Sequence, residues 1–398
     1  MVLGLSRMCN IAFVLGRHIN EPFVEGGGKV TYLVAKALSE IGIQTYLVKI
    51  NYLLPGERFY IARTNLRSLG SGPLDELELK VGLFSQDYVL NKIFGSIASN
   101  LIELVTSPLL LTKLIKRISH RERNICIFIG NSSKLGGVLL SQFFKRSAEN
   151  MTKILAIYRR EEILRHTSRV VRPNVLFTTS RELLIRTSKL IDGLADRIAF
   201  SYPPLLPEDI CGVSHTRKLP LLLYMGRVTN QRFPLHSLKH IVINLKKTTR
   251  EALLVIIFPS ESTSIEWLRS AKELISKLDA KNRVFLIPKT LDNNEKKSIL
   301  SKASVFLFPS KGVAAIEPPL TVIESLAHGQ YLVTTGDNST RELVYSGVGQ
   351  QLKNFEELDV EECLNMSNRL NQKISRWAHE AFAFKRLVHS LKDVVSQN

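Results

Sequence analysis

Two arginines and two glutamates in the second half of the chain are the side chains best suited to act on a phosphorylated ligand. Arg227 and Arg232 stand five positions apart, directly after an apolar run that ends at Gly226. A guanidinium donates bidentately to phosphate oxygens and stays charged at any working pH, so two of them at the end of a parallel strand form a diphosphate clamp. Taken alone, the alternative is a pair of solvated surface arginines. Glu317 and Glu324 bracket Pro318, Pro319, Leu320 and Thr321 around a helix start. A carboxylate one or two turns into such a helix can accept hydrogen bonds from ribose or sugar hydroxyls at the crevice beside the strand ends. The plainer alternative is an acid that complements the helix dipole. In the first half, Glu25, Gly26, Gly27, Gly28 and Lys29 precede a long helical pattern. Glycines there let backbone N–H groups approach an anion at the positive end of the dipole. The spacing is neither that of a Walker loop nor that of a dinucleotide fingerprint, and a flexible turn is the alternative.

The elements that must position these residues follow from periodicity. Residues 10–16 form an apolar strand, and Val30, Leu33, Val34, Ala37, Leu38 and Ile41 recur at helical spacing up to Gly42, after which residues 43–50 are again strand-like. Further strands are expected over 125–129, 154–157, 175–178 and 197–200, so the first half is a parallel sheet with helices on its faces. The prolines at 203, 204 and 207 favour an extended connector and mark the domain boundary. Beyond it, strands over 219–225, 252–258, 284–287, 304–308 and 331–335 alternate with helices over 235–247, 264–278, from Asp292 and over 319–328. Asp292 with Glu295 is a capping box, and Pro319 with Gly329 marks a helix start and stop. The expected organisation is an α/β chain with Rossmann-like domains at 1–204 and 205–376, and a helix over 377–398 whose Trp377, Ala381, Phe384, Val388, Leu391 and Val395 share one face. Open α/β sheets bind ligands outside the carboxyl ends of their strands, so a cleft between two such domains is the expected site.

These elements resemble, in order and spacing, the retaining glycosyltransferases of the GT-B fold, specifically the large family 4, over nearly the whole chain. The triple glycine with Lys29 and Val30 is similar to the family's glycine loop and first helix. Tyr224, Met225, Gly226 and Arg227 with Arg232 resemble its strand, Gly-Arg and basic residue five further on. Pro309-Ser310, Glu324 to Gly329 and Thr340 to Val344 resemble its later elements. The resemblance implies a deep cleft between the domains, with the acceptor on the first and the nucleotide-sugar donor on the second. It implies that Arg227 and Arg232 hold the donor diphosphate, Glu324 the ribose and Glu317 the sugar. Gly27, Gly28, Pro288, Leu320 and Thr321 complete the donor site, and Arg227, Arg232 and Glu317 are the catalytic set. Six residues separate Glu317 from Glu324 where the family has seven, and Ile316 holds the strict position. Glu317 is expected to act from a shorter loop, because it is the acid nearby. Tyr158 stands near where many relatives present a histidine, and Tyr202-Pro203 replaces an interdomain Asn-Gly.

Composition narrows the partners. The 398 residues carry 54 Lys and Arg against 36 Asp and Glu, a formal charge of +18, which calls for phosphorylated ligands, a polyanion or an anionic membrane face. The surplus is larger in residues 1–200, with 28 basic and 16 acidic residues. The apolar stretch 93–118 is interrupted by Asn100, Glu103, Pro108 and Lys113, so it does not span a bilayer. It runs into Lys113, Lys116, Arg117, Arg121 and Arg123, as an interfacial helix would, or as a buried helix pair with a solvated end. Cys9, Cys126, Cys211 and Cys363 show no paired spacing, which argues against zinc and a disulfide framework and for a reducing compartment. Residues 11–16 are only a strand's length with no cleavage pattern after them, so a cytoplasmic protein, peripheral at the membrane face, is expected. No carboxylate or histidine cluster of metal-ligand type is evident, and no metal or other cofactor is expected. The acceptor is expected to be lipid-linked or a glycan. Without zinc spacing, an aromatic-rich RNP run or a basic stripe, no nucleic-acid partner is expected. A GT-B scaffold that binds nucleotide sugar without transfer, or an epimerase or phosphorylase, is the alternative, since one fold hosts several activities.

Overall fold

The computed structural model describes residues 9–16, 26–51, 59–69, 77–84, 124–130, 151–158, 174–189, 197–206, 218–260, 264–310, 316–335 and 339–396. The chain forms two compact units, one of Met1–Pro204 with Phe384–Asn398 and one of Leu205–Ala383.

The first unit holds an eight-stranded sheet in the order β4-β3-β2-β1-β5-β6-β7-β8. Its strands are β1 (Ile11–Gly16), β2 (Gln44–Asn51), β3 (Phe59–Leu69), β4 (Leu77–Phe84), β5 (Ile125–Ile129), β6 (Met151–Ile157), β7 (Val175–Thr178) and β8 (Arg197–Phe200). The six strands from β2 to β8 run parallel. The wholly parallel sheet expected from the sequence is corrected at its edge, where β3 and β4 add two antiparallel strands. Helix α1 (Gly26–Glu40) buries Val30, Leu33, Val34, Ala37 and Leu38 as one stripe, and Gly42 closes it at φ +87°. A second helix, α2 (Arg181–Ser188), is capped by Ser180, whose Oγ accepts from the Leu183 N–H at 2.9 Å.

The cysteine reading is corrected too. Cys9 and Cys126 form a disulfide with Cα atoms 5.8 Å apart. They are 117 residues apart in sequence, so spacing could not reveal the pair. Parallel pairing of β1 with β5 brings them together. Cys363 is free and buried.

The second unit holds a six-stranded sheet, parallel throughout, in the order β11-β10-β9-β12-β13-β14. Its strands are β9 (Leu219–Met225), β10 (Leu253–Phe258), β11 (Val284–Pro288), β12 (Ala303–Phe308), β13 (Tyr331–Thr334) and β14 (Gly349–Gln351). The connecting helices are α3 (Leu235–Lys247), α4 (Ile265–Lys277), α5 (Asn293–Lys302), α6 (Leu320–Ala327), α7 (Ser339–Leu343) and α8 (Val360–Ala381). Strand β12 is buried at every position, as a strand covered on both faces must be. The capping box of Asp292 and Glu295 is present on α5.

The helix expected over 377–398 is in fact two. Trp377 and Ala381 end α8 in the second unit, whereas α9 (Phe384–Ser396) belongs to the first. There Leu387, Leu391 and Val395 are buried, Ser390 Oγ donates to the Phe200 carbonyl at 2.8 Å, and the Lys36 ammonium lies 5.6 Å from the Phe384 ring centroid. The segment 93–123 singled out for its basic end lies outside the described residues. No described helix is long and apolar enough to cross a membrane.

Lys218 fixes the far end of α6. Its Nζ donates to the carbonyl of His328 at 2.6 Å and to that of Leu300, on α5, at 3.4 Å. A cation suits a helix C-terminus, yet burial brings this ammonium down to about 8 from 10.5. Below about pH 8 the folded and unfolded states are both charged at this residue. As pH rises from there towards 10.5 the unfolded state holds the extra proton, so stability increases with pH. Relative to Lys218→Gln, the wild-type protein should gain roughly 1–3 kcal/mol of unfolding free energy between about pH 7.5 and pH 9.5. A difference between the two proteins that stays flat across urea titrations at those pH values would refute this. Stopping below pH 10 keeps the buried tyrosines out of the measurement.

Candidate functional site

Strand β9 ends at Met225 and runs into Gly226, whose φ of +152° disfavours a side chain and turns the chain towards Arg227. The loop from Gly226 to Pro234 carries both arginines and is held at each end. Gly226 N–H donates to the Ile257 carbonyl at 3.0 Å, and Tyr224 Oη donates to the Arg227 carbonyl at 2.6 Å. Arg232 N–H donates to the Thr229 carbonyl at 3.1 Å and to Thr229 Oγ1 at 3.2 Å. Phe233 anchors the end of the loop: its ring meets Tyr224 edge-on at 4.6 Å, and its carbonyl accepts from Trp267 Nε1 at 2.6 Å. Arg227 is exposed and Arg232 half-buried. Burial pushes the Tyr224 phenol well above its ordinary value, and the charge of Arg232 pulls it partly back, which places that guanidinium close to the tyrosine.

Beside β9 in the sheet, β12 runs into the buried Ser310. Helix α6 then starts behind Pro319, which supplies no side-chain cap. Pro319 accepts the Val322 and Ile323 N–H groups at 3.0 and 3.1 Å. The amides of Leu320 and Thr321 belong to the first turn, whose N–H groups have no intrahelical acceptor by geometry. Glu317 is 1 % exposed and Ile316 2 % exposed, so both turn inward. Glu324, one turn into α6, is buried, and its Oε1 lies 2.9 Å from Lys296 Nζ on α5. Lys296 could not be picked out from sequence, because nothing local ties it to an acid 28 residues later. Behind this layer Thr334 Oγ1 donates to the Phe308 carbonyl at 3.1 Å and shares a 3.0 Å hydrogen bond with Thr340.

In a parallel sheet all the strand carboxyl ends share one edge. Arg227, Arg232, Glu317, Leu320, Thr321 and Glu324 therefore gather at the adjacent ends of β9 and β12. Pro288 ends β11 and is exposed, two strands from β9 and so about 10 Å away along the sheet. Anions with a ribose or sugar attached suit this edge: cations on a fixed loop, a helix N-terminus and two acids that accept from hydroxyls.

Gly27 and Gly28 belong to the first unit. They do not precede the helix, as the sequence suggested, but form the buried first turn of α1. Thr31 Oγ1 donates to the Gly27 carbonyl at 2.8 Å and shares a 2.9 Å hydrogen bond with Tyr158 Oη at the end of β6. A Cβ on Gly130, at the end of β5, would lie 2.5 Å from Thr31 Oγ1 and 2.7 Å from Tyr158 Oη. Thus Tyr158 braces the glycine turn through Thr31. Thr31 and Gly130 carry no sequence signal, since their roles depend on contacts across the sheet.

Residues 212–362 match the family described as Glycosyl transferases group 1. No curated protein matches the sequence. Among solved structures, a glycosyltransferase from Rickettsia africae is similar at 13% identity, covering 97% of this chain and 98% of that one, with a TM-score of 0.65. The α,α-trehalose 6-phosphate synthase of Burkholderia multivorans is similar at 11% identity over 98% of both chains, with a TM-score of 0.66. An Anabaena protein in complex with UDP and glucose is similar at 12% identity, covering 98% of this chain and 100% of that one, with a TM-score of 0.59. The fold is that of the GT-B proteins, and the matched family supports a glycosyltransferase enzyme.

Proposed function

We propose that this nucleotide-sugar glycosyltransferase works through the carboxyl edge of the β9–β12 sheet and transfers the sugar with retention of anomeric configuration. The observation that carries the reading is the braced loop of Arg227 and Arg232 beside the first turn of α6, within the segment that matches the family. The diphosphate would lie against the two guanidinium groups, with the amides of Leu320 and Thr321 in reach of the phosphate next to the sugar. Glu324 would take the ribose hydroxyls while keeping Lys296 on its Oε1, and Glu317 would take hydroxyls of the sugar. Pro288, about 10 Å along the edge, suits the far end of the nucleotide. Gly27 and Gly28, in the first unit, would offer first-turn amides of α1 to an anion. As the glycosidic bond lengthens, negative charge grows on the leaving phosphate. Fixed cations then stabilise the transition state more than the ground state, which is the condition for faster chemistry. On this reading the arginines supply that charge without a metal.

A lipid-linked or membrane-presented acceptor, reached from an anionic membrane surface, is proposed from the basic surplus of residues 1–200. The donor half is tested by calorimetric titration with UDP, GDP and ADP in the presence of a chelator. The three share a diphosphate and differ in the base, so selective binding of one supports the site and names the nucleotide. Binding of none overturns it.

A further inference from the structure

The sequence shows no evident histidine and carboxylate cluster, but the fold assembles one. His236 and His240 are four residues apart on α3, hence on one face of the helix, and Asn244 continues the same stripe. Facing them is the turn Phe355–Glu357 that follows β14. His240 Nε2 lies 3.1 Å from Glu356 Oε1, and His236 Nε2 lies 4.0 Å from the same oxygen. The three donor atoms all fall within 4.8 Å of one another, and theirs is the one group of this kind among the described residues. We propose that His236, His240 and Glu356 bind a divalent transition-metal ion of the Zn2+ class, at a site separate in role from the transfer chemistry.

The backbone under the carboxylate is fixed in place. Asn244 Nδ2 donates to the carbonyls of Phe355 at 3.0 Å and Glu356 at 3.2 Å, while the Glu356 N–H donates to Asn354 Oδ1 at 2.8 Å. The Phe355 side chain is buried below the turn. The third ligand is therefore held against the helix that carries the other two, and only side-chain torsions need adjust to admit an ion. Ligands about 2.0–2.1 Å from a tetrahedral zinc stand roughly 3.3 Å apart. The existing separations need to close by at most about 1.5 Å, at side chains 59 % (His236) and 55 % (Glu356) exposed.

The chemistry selects the metal. Two imidazoles and one carboxylate suit Zn2+ or Ni2+, whereas Mg2+ and Ca2+ prefer oxygen ligands. A plain ion pair accounts less well for the arrangement. The rings are 4.3 Å apart, so two imidazolium charges would repel, and one carboxylate oxygen serves both. One metal ion engages both rings and the carboxylate together, leaving a fourth position for water.

The test is calorimetric titration of the full chain with ZnCl2 in a buffer containing excess Mg2+, repeated on His236→Ala, His240→Ala and Glu356→Gln, with melting curves recorded with and without Zn2+. His236 and Glu356 are more than half exposed, so their variants should melt normally without metal. The expected result is one site in the wild-type protein, a rise in its melting temperature with Zn2+, and affinity lowered at least about tenfold in each variant. No binding by the wild-type protein, or binding retained in all three variants, would overturn the proposal. The second outcome would place the ion on others of the nine histidines.

Discussion

Arg227→Ala is expected to lower kcat by about 10²–10³-fold while leaving the melting temperature almost unchanged, the usual range for removing one preorganised donor to a developing oxyanion. The split follows from where this side chain lies. Arg227 is exposed, and its role in holding the loop is carried by its carbonyl, which accepts from Tyr224 Oη. Alanine keeps that carbonyl, so the loop should survive the loss of the charge. The ground-state diphosphate carries part of the same charge, so affinity for the nucleoside diphosphate should also fall, but by less than kcat. Arg232→Ala is the contrasting case. This residue is half-buried and its charge acts on Tyr224, so its removal should disturb the loop as well as the charge. Arg227→Lys should recover only part of the loss, since a lysine offers a point charge without the bidentate fork. Steady-state kinetics with the nucleotide sugar chosen by the titration, alongside melting curves, measures all three. An unchanged kcat in Arg227→Ala removes the residue from the diphosphate site.

What could be seen from sequence was local, and what could not was long-range. The strand ending at Met225, the capping box at Asp292 and the helix stop at Gly329 are each decided by a handful of neighbouring residues, and each is present. The edge strands β3 and β4 went unseen. Arg63, Thr64, Asn65 and Arg67 break any apolar run in β3, and Glu78 and Lys80 do so in β4, as suits antiparallel strands at a sheet edge. The Cys9–Cys126 pair, the Lys296–Glu324 pair and the contact of Thr31 with Tyr158 span 117, 28 and 127 residues. Only the order of strands in the sheets brings these partners together. The metal-type cluster lies between the two cases: the spacing of His236 and His240 was visible, but Glu356 joins them through a turn 116 residues further on. The break between α8 and α9 at Phe382 was missed because Trp377, Ala381 and Phe384 keep helical spacing across it, although the two helices belong to different units.

The second large effect is expected at Glu317. Its carboxylate is almost wholly buried beside the equally buried Ile316, so of these two neighbours only Glu317 can accept from a hydroxyl. If it holds a sugar hydroxyl, Glu317→Gln removes the charge while keeping the shape. A hydrogen bond to a charged group is worth about 1.5–3 kcal/mol, so turnover should fall roughly 10- to 150-fold. The loss should appear in kcat/KM for the nucleotide sugar, and binding of the bare nucleoside diphosphate should hold within about threefold, because that ligand has no sugar to lose. Glu324→Gln should behave in the opposite sense. It weakens the nucleoside diphosphate itself, and it leaves Lys296 facing a neutral partner, so stability falls as well. Comparing the two variants by nucleotide titration, donor kinetics and melting separates a sugar-binding acid from a ribose-binding one. Full turnover in Glu317→Gln would mean that the shorter loop does not carry the first acid. In that case the sugar hydroxyls must be held by other groups along the same edge, and the backbone amides of Leu320 and Thr321 would be the first to examine.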